Sequence, residues 1–410
     1  MVNKSFKYRI YPTEDQKTFL SNQFGAVRFI YNFFLANRKD EYLNNKKPIN
    51  YYEDCKKLTE LKTQDGYGWL NEIIAQSLQS SLRNLEVAYQ RFFKKISNFP
   101  KFHKKLSRQS IKFPQNFGIE ENKLYIPKLK SGIKITLHQE LPSKPTSCVV
   151  SKTPSGKYYA SFLCEVNILP LPKSEKQIGI DLGIKSLLVS SDNQIIENPK
   201  FHKKLEKKLA YEQKQLSKKK KGSNNRNKQR IVLAKVYEKI TNQRNDNLHK
   251  ISKKLIDENQ VIIAENLKVK NMMSNHNLAK AIEDVSWGEL LRQLEYKAEW
   301  YGRIFYQIDT FFPSSKTCND CQFVIDNLPL SVREWDCPKC HTHHDRDFNA
   351  AKNIRDKGIL DLSGSGIESD IKQKLGEAPV RNQGRRNKKS KIIDNSLPPL
   401  SNIKPLEINI

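Results

Sequence analysis

Four cysteines fall into two pairs, Cys318-x-x-Cys321 and, after an interval of fifteen residues, Cys337-x-x-Cys340. Thiolates are soft donors, and a two-residue gap lets one tight turn aim both sulfurs at the same ion. The pattern therefore points to tetrahedral zinc. Four sulfurs leave no open position, so this zinc would be structural. A redox role is the alternative, but two such pairs in a reduced chain favour the metal. His341, His343 and His344 adjoin the second pair. Four sulfurs already complete the tetrahedron, so these three are expected as surface histidines. Cys55, Cys148 and Cys164 stand alone and are expected to be ordinary thiols.

Three carboxylates make a second set. Asp181 lies in "IGIDLGIK", where strand alternation sends Ile178, Ile180 and Leu182 one way and Gly179, Asp181 and Gly183 the other. The flanking glycines would let a ligand or phosphate backbone come close. Glu265 ends the apolar run "VIIAE", and the carboxyl ends of strands often present functional groups. Asp347 lies in "HHDRDFNAAKNI"; a helix starting near Asp345 would place it on one face with Ala350, Ala351 and Ile354. A carboxylate on such a face is costly unless paired, hydrogen-bonded or metal-bound. An aspartate at a helix start is also a common cap or dipole charge, and for Asp345 and Asp347 that reading stays open. Converging at a sheet edge, the three could hold two Mg²⁺ ions roughly 3.5–4 Å apart for in-line phosphodiester hydrolysis. Hard oxygen donors suit Mg²⁺, and their mutual repulsion disfavours the empty site.

The elements that would position these groups follow from periodicity. The segment 177–196 reads as strand, turn and strand with a hairpin at Ser191–Asn193, and 304–308 as a further short strand. A helical region of about 55 residues precedes Val261. Its second half carries Leu233, Tyr237, Ile240, Arg244, Leu248, Ile251 and Leu255 at three/four spacing. Arg244 there suggests a buried ion pair. Lys218–Lys221 and "GSNNRNKQR" interrupt the region as a basic turn, and a helix is expected over 286–301. Upstream, residues 4–10 alternate as a strand. Thr13 and Gln16 fit a capping box, followed by the helical stripe Leu20, Phe24, Val27, Tyr31 and Phe34. A second helix is expected over 71–96, with the stripe Ile74, Leu78, Leu82, Leu85, Tyr89, Phe92 and Ile96. From 99 to 167, β-rich runs broken by Pro, Gly and Ser read as a small barrel or meander, closed by a linker at Pro170 and Pro172. No internal repeat is evident.

A chain of 410 residues with 72 Lys+Arg against 44 Asp+Glu, a net charge of +28, implies a polyanionic partner, above all nucleic acid. No apolar run reaches the roughly 20 residues needed to span a bilayer, and the amino terminus shows no signal-peptide pattern. A cytoplasmic protein without a membrane partner is expected. Within 91–114, Lys94, Lys95, Lys101, Lys104, Lys105 and Arg108 could track a phosphate backbone, as could Lys218, Lys219, Arg226 and Arg230 in the basic turn. Past Gly358 the chain turns polar and basic and reads as a disordered tail.

From Lys4 to Ile354 the sequence resembles the TnpB (OrfB) family of transposon-encoded RNA-guided nucleases, related to type V CRISPR effectors. The matching stretches are "FKYRIYPT", "GAVRFIYNF", "IGIDLGIKSL", "KGSNNRNKQR", "NLHKISKKLI", "AENLKVKNM", "SWGELLRQLEYKAEWYG", "PSSKTCNDC", "CPKC" and "HDRDFNAAKNI". The resemblance implies an α/β multidomain chain with an RNase H-like (RuvC) core. In that core Asp181, Glu265 and Asp347 are catalytic, and Asp345 supports them. It implies a β-barrel wedge from 1–12 and 100–170, a helical recognition domain at 13–99, and a nuclease core from 171–310 and 345–358. A zinc insertion would occupy 311–344 and a basic tail 359–410. Gln76, Gln79 and Ser80 would face the short adjacent motif of the target. The implied partners are a transposon-derived guide RNA and target double-stranded DNA, in a bacterial, nucleoid-associated setting. The implied activity is Mg²⁺-dependent DNA cleavage. A nuclease-inactive RNA-guided repressor and a DNA-joining transposase are the alternatives. The intact acids speak against the first.

Overall fold

The computed structural model describes residues 1–45, 49–105, 108–329 and 331–364. Of the tail expected over 359–410, residues 365–410 lie outside the described residues. Strand β1 (Val2–Tyr11) leads into helices α1 (Glu14–Asn45), α2 (Tyr51–Leu61) and α3 (Ala75–Phe93). Six strands follow: β2 (Gln109–Phe113), β3 (Gly118–Glu120), β4 (Lys123–Tyr125), β5 (Ile133–Thr136), β6 (Ser147–Lys152) and β7 (Tyr158–Val166). With β1 they form an antiparallel sheet of order β2-β6-β7-β1-β5-β4-β3. The first residues of the chain thus complete a sheet whose other strands lie a hundred residues on. β2 and β3 stand at its two edges, so the expected barrel is an open, curled one.

Local chemistry explains the helices that cover this sheet. The Thr13 amide donates to Gln16 Oε1 and the Gln16 amide to Thr13 Oγ1, the reciprocal box expected at the start of α1. Its stripe, Leu20, Phe24, Val27, Tyr31 and Phe34, is buried. The second expected helix is shorter than its pattern: α3 starts at Ala75 and stops at Phe93, and Ile96 is 62% exposed. Lys95, at φ 58°, turns the chain off the helical path before the stripe reaches Ile96. Helix α2 went unread because its apolar residues are few. Its start is set by a capping box between Asn50 and Glu53.

The second half is a sheet of order β10-β9-β8-β11-β12, built from β8 (Gln177–Leu182), β9 (Ser186–Ser190), β10 (Ile195–Glu197), β11 (Val261–Glu265) and β12 (Ile304–Ile308). β8, β9 and β10 meander antiparallel, with the turn at Ser191–Asn193 where it was expected; β8, β11 and β12 are parallel. Between β10 and β11 run α4 (Phe201–Lys204), α5 (Glu206–Ser217) and α6 (Asn224–Glu258). After β11 come α7 (Val269–Met272), α8 (His276–Val285) and α9 (Trp287–Tyr301). A small ribbon of β13 (Glu334–Asp336) and β14 (His343–Asp345) leads straight into α10 (Arg346–Gly364).

The sheet is a buried middle layer. Ile178, Ile180, Ile262 and Ala264 pack with Leu248, Leu255, Leu290 and Leu294 of α6 and α9 on one face. Val261, Ile263 and Ile308 pack with Ile354 and Leu362 of α10 on the other. Residues 359–364, expected in the tail, are instead the end of α10, with Ile359 and Leu362 held against that core. Three details of the long helical region also differ. Ser223 caps α6, so Asn224 to Arg230 are helical rather than turn. Val236, not Tyr237, is buried in the stripe. Arg244 donates to the Glu283 carbonyl at 2.8 Å in place of the expected ion pair, since the last turn of α8 presents its backbone there. No helix among the described residues is long and apolar enough to cross a membrane.

Candidate active site

The strand register sets two of the three acids side by side. Ile180 is paired with Ala264 across β8 and β11, so the next residues, Asp181 and Glu265, lie together at the carboxyl ends of parallel strands. Both are on the face opposite the α6–α9 core, the side reached by α10. Helix α10 can lie there because Gly179 has no side chain. A Cβ on Gly179 would come 2.2 Å from the Ala351 carbonyl oxygen and 2.6 Å from the Arg355 nitrogen. Asp181 is two strand residues beyond Gly179, about 6.7 Å. Asp347 is one helical turn before Ala351, about 6 Å. The Asp347 charge acts on the Asp181 carboxyl, so the start of the helix and the end of the strand lie near one another.

The electrostatics reflect that convergence. Burial, then the Glu265 and Asp347 charges, push the Asp181 carboxyl up to about 8, against the opposing pull of Arg346. Burial also raises Glu265, and a hydrogen bond from the Ser314 hydroxyl works in the other direction. Asp347 is half-buried and pairs with Arg333 at 3.3 Å. The cap is Asp345, whose Oδ1 accepts from the Asp347 and Phe348 amides at 3.0 Å each. That separates the two aspartates: Asp345 holds the helix start, and Asp347 is left to face the other acids. Among the described residues, the donor sets lying within 4.8 Å of one another are the four cysteines and Cys318–Asp320–His344. The three acids are more widely spaced.

The four cysteine sulfurs do gather. Cys318 and Cys340 are 3.6 Å apart, as are Cys321 and Cys337. A tetrahedron with metal–sulfur bonds of about 2.3 Å has edges of about 3.8 Å, so the set fits zinc. Burial pushes the Cys318 thiol up to about 12, while hydrogen bonding with Thr342 draws Cys340 down to about 6. A cation is what would let all four ionise together. His341 and His343 are exposed as expected. His344 is not: it is buried against Trp335, with Nε2 3.1 Å from Cys318 Sγ. Its position in β14, facing the sulfur, removes it from the surface.

Comparison with known proteins places the whole chain. A family model described as "Probable transposase" (OrfB, IS605) matches residues 161–276. A "Cas12f1-like, TNB domain" matches 287–354 and a "Helix-turn-helix domain" matches 1–47. A relative from Streptomyces pristinaespiralis, named "Putative RNA-guided DNA endonuclease", is 39% identical over 391 residues, covering 94% of this chain and 97% of its own. The chain belongs to the TnpB (OrfB) family. Another member, "Putative RNA-guided DNA endonuclease InsQ" of Escherichia coli K12, is 30% identical over 86% of this chain and 91% of its own. A solved Cas12f1–sgRNA–target DNA complex covers 87% of this chain and 99% of its own at 18% identity, with a TM-score of 0.34.

The other residues singled out in this TnpB-family chain divide by environment. Gln79 is exposed and Gln76 and Ser80 are half-buried on α3, whose opposite face buries Ser77, Leu78 and Ser81. Lys94, Lys95, Lys101, Lys104, Lys105 and Arg108 are all exposed, on the connection from α3 to β2. Lys218 and Lys219 lie in the turn before α6, and Arg230 on its first turns. Arg226 also has a structural part: its Nη1 donates to the Leu216 and Lys219 carbonyls at 2.6 and 2.9 Å and braces that turn. Sequence reasoning passed over Ser314, Arg333, Arg346, Asn349 and Asn353. Asn349 and Asn353 did carry a signal: polar residues four apart on a face next to Ala350 and Ala351.

Proposed function

We propose that this chain is an RNA-guided DNA endonuclease of transposon origin, cutting DNA by metal-dependent phosphodiester hydrolysis in a RuvC-like site. The observation that carries the chemistry is the convergence of Asp181, Glu265 and Asp347 on one face of the sheet, with Asp181 pushed up to about 8. The nearly full-length relatives carry the guided character of the reading. The order of the second sheet, three antiparallel strands then two parallel ones, supports an RNase H-like core.

The acids fit Mg²⁺. All three are hard oxygen donors, and without a cation the buried Asp181 carboxylate is opposed by two like charges. When bound, Mg²⁺ would supply an activated water and charge neutralisation on the scissile phosphate. The chain's own residues do the positioning. Ser314 orients the Glu265 carboxylate, and Asp345 fixes the start of the helix that carries Asp347. Arg346 is held by the Pro329 carbonyl at 2.7 Å and keeps a positive charge beside Asp181. The exposed lysines would hold phosphate backbones, the guide RNA would select the target by base pairing, and the α3 face would read the adjacent motif. The four cysteines would hold one structural zinc.

The test starts from RNA that co-purifies with the protein. Once that guide is sequenced, duplexes matching it beside a randomised flank should be cut only with Mg²⁺. Glu265→Ala should abolish cutting while guide and target binding stay within about twofold. Tight binding without cutting by the unaltered protein would make it a repressor. Strand-transfer products formed without RNA would make it a transposase.

A further inference from the structure

The segment Ser314–Cys318 joins both centres. At one end, the Ser314 hydroxyl donates to Glu265 Oε1. At the other, Cys318 is one of the four clustered sulfurs. Between them, two carbonyls are gripped by α10: Asn353 Nδ2 donates to Ser314 O at 2.8 Å and to Thr317 O at 2.6 Å, and Asn349 Nδ2 donates to Thr317 O at 2.7 Å. Both asparagines are 2% exposed, so these bonds form where water cannot replace them. The grip is returned from just past the cysteine, where the Asn319 amide donates to Asn349 Oδ1 and its side chain to Asn353 Oδ1. Asn349 follows Asp347 by two residues on the same helix. A five-residue strap therefore connects Glu265, the zinc cluster and the helix bearing Asp347.

We propose that Ser314, Asn349 and Asn353 are positioning residues that couple zinc occupancy to the geometry of the acid site, so that loading the cysteines sets the divalent-cation affinity of Asp181, Glu265 and Asp347. This coupling rests on the proposed metal role of those acids. A strap anchored at only one end can shift its carbonyls, and both Glu265 and α10 would shift with them. Partners that orient metal ligands contribute about 10- to 100-fold in metal affinity.

The test measures Mn²⁺ binding to the RNA-free full-length chain by electron paramagnetic resonance, with Asp181→Asn as the blank. Zinc is measured in every sample by elemental analysis. Ser314→Ala and Asn353→Ala should each weaken the Asp181-dependent Mn²⁺ binding about 10- to 100-fold. Zinc should remain at one per chain, and Ser314→Thr, which keeps the hydroxyl, should restore the affinity. Stripping zinc from the unaltered chain should weaken Mn²⁺ binding in the same way. Ser314→Ala removes a single hydroxyl and tests the strap even if Asn353→Ala fails to fold. Binding of Mn²⁺ at unaltered affinity by both variants would overturn the coupling alone. Equal binding by the unaltered chain and the Asp181→Asn blank would overturn the acid-site reading, and the coupling with it.

Discussion

Asp181 has an ordinary carboxylate pKa of 3.8 when unfolded and about 8 in the folded chain, because burial and two neighbouring carboxylates oppose its charge. Between those values the folded state keeps a proton that the unfolded chain has lost, so folding is penalised increasingly as pH rises. The penalty is absent below about pH 4 and complete above about pH 8. Without divalent cations, the melting temperature should therefore fall from pH 5 to pH 8, and Asp181→Asn should remove that component of the fall. Mg²⁺ added at pH 8 should raise the melting temperature of the unaltered chain and leave the variant's unchanged. Calorimetry checks both, and identical pH slopes for the two proteins would count against the assignment. The placing of Asp181 and Glu265 in the sheet was legible in the sequence because strand alternation and strand ends are local properties, whereas at Asp347 a helix-start charge read equally well. Ser314, Arg346 and His344 were not legible, since each acquires its part only from groups brought to it by folding. A histidine next to a finished four-sulfur set offers no local sign that its ring turns inward onto Cys318.

Helix α10 and strand β8 meet more closely than side chains ordinarily allow, and Gly179 is the reason. A methyl group there would lie 2.2 Å from the Ala351 carbonyl oxygen, which is helix backbone and cannot swing aside. Gly179→Ala should lift α10 from the sheet and carry Asp347 away from Asp181. The expected cost is about 1–3 kcal/mol of stability, the usual range for overpacking. A loss of Asp181-dependent Mn²⁺ binding should accompany it, measured by denaturant unfolding and by titration. Gly118→Ala is the control, since nothing lies within 4 Å of its added Cβ. Strong periodicity made α1, α6 and α9 legible at this scale. The ends of elements were less so, because backbone turns and caps decide them: the chain leaves α3 at Lys95, and α10 outlasts its motif to bury Ile359 and Leu362.

The whole chain carries a net charge of +28, and some of its acids are partly withdrawn from solvent: Asp54 is buried on Arg38, and Asp181 and Glu265 are turned into the face covered by α10. Composition alone implied a polyanionic partner; which cations reach it depends on surfaces that composition cannot describe. Arg226 illustrates the difference, a basic residue in a basic turn with one guanidinium nitrogen bonded to two backbone carbonyls. Lys101, Lys105 and Arg108 are exposed on the connection into β2. If six to ten phosphates are neutralised, guide RNA affinity should fall by about 10³–10⁵ between 50 and 200 mM salt. Replacing Lys101, Lys105 and Arg108 with alanine should flatten the log–log slope by about one for each phosphate no longer neutralised. Replacing Arg226 should leave the slope unchanged and lower the melting temperature instead, because its removal opens the turn before α6. Filter binding over a salt series separates the two kinds of residue: equal slopes for the triple variant and the unaltered chain would place the RNA on another surface.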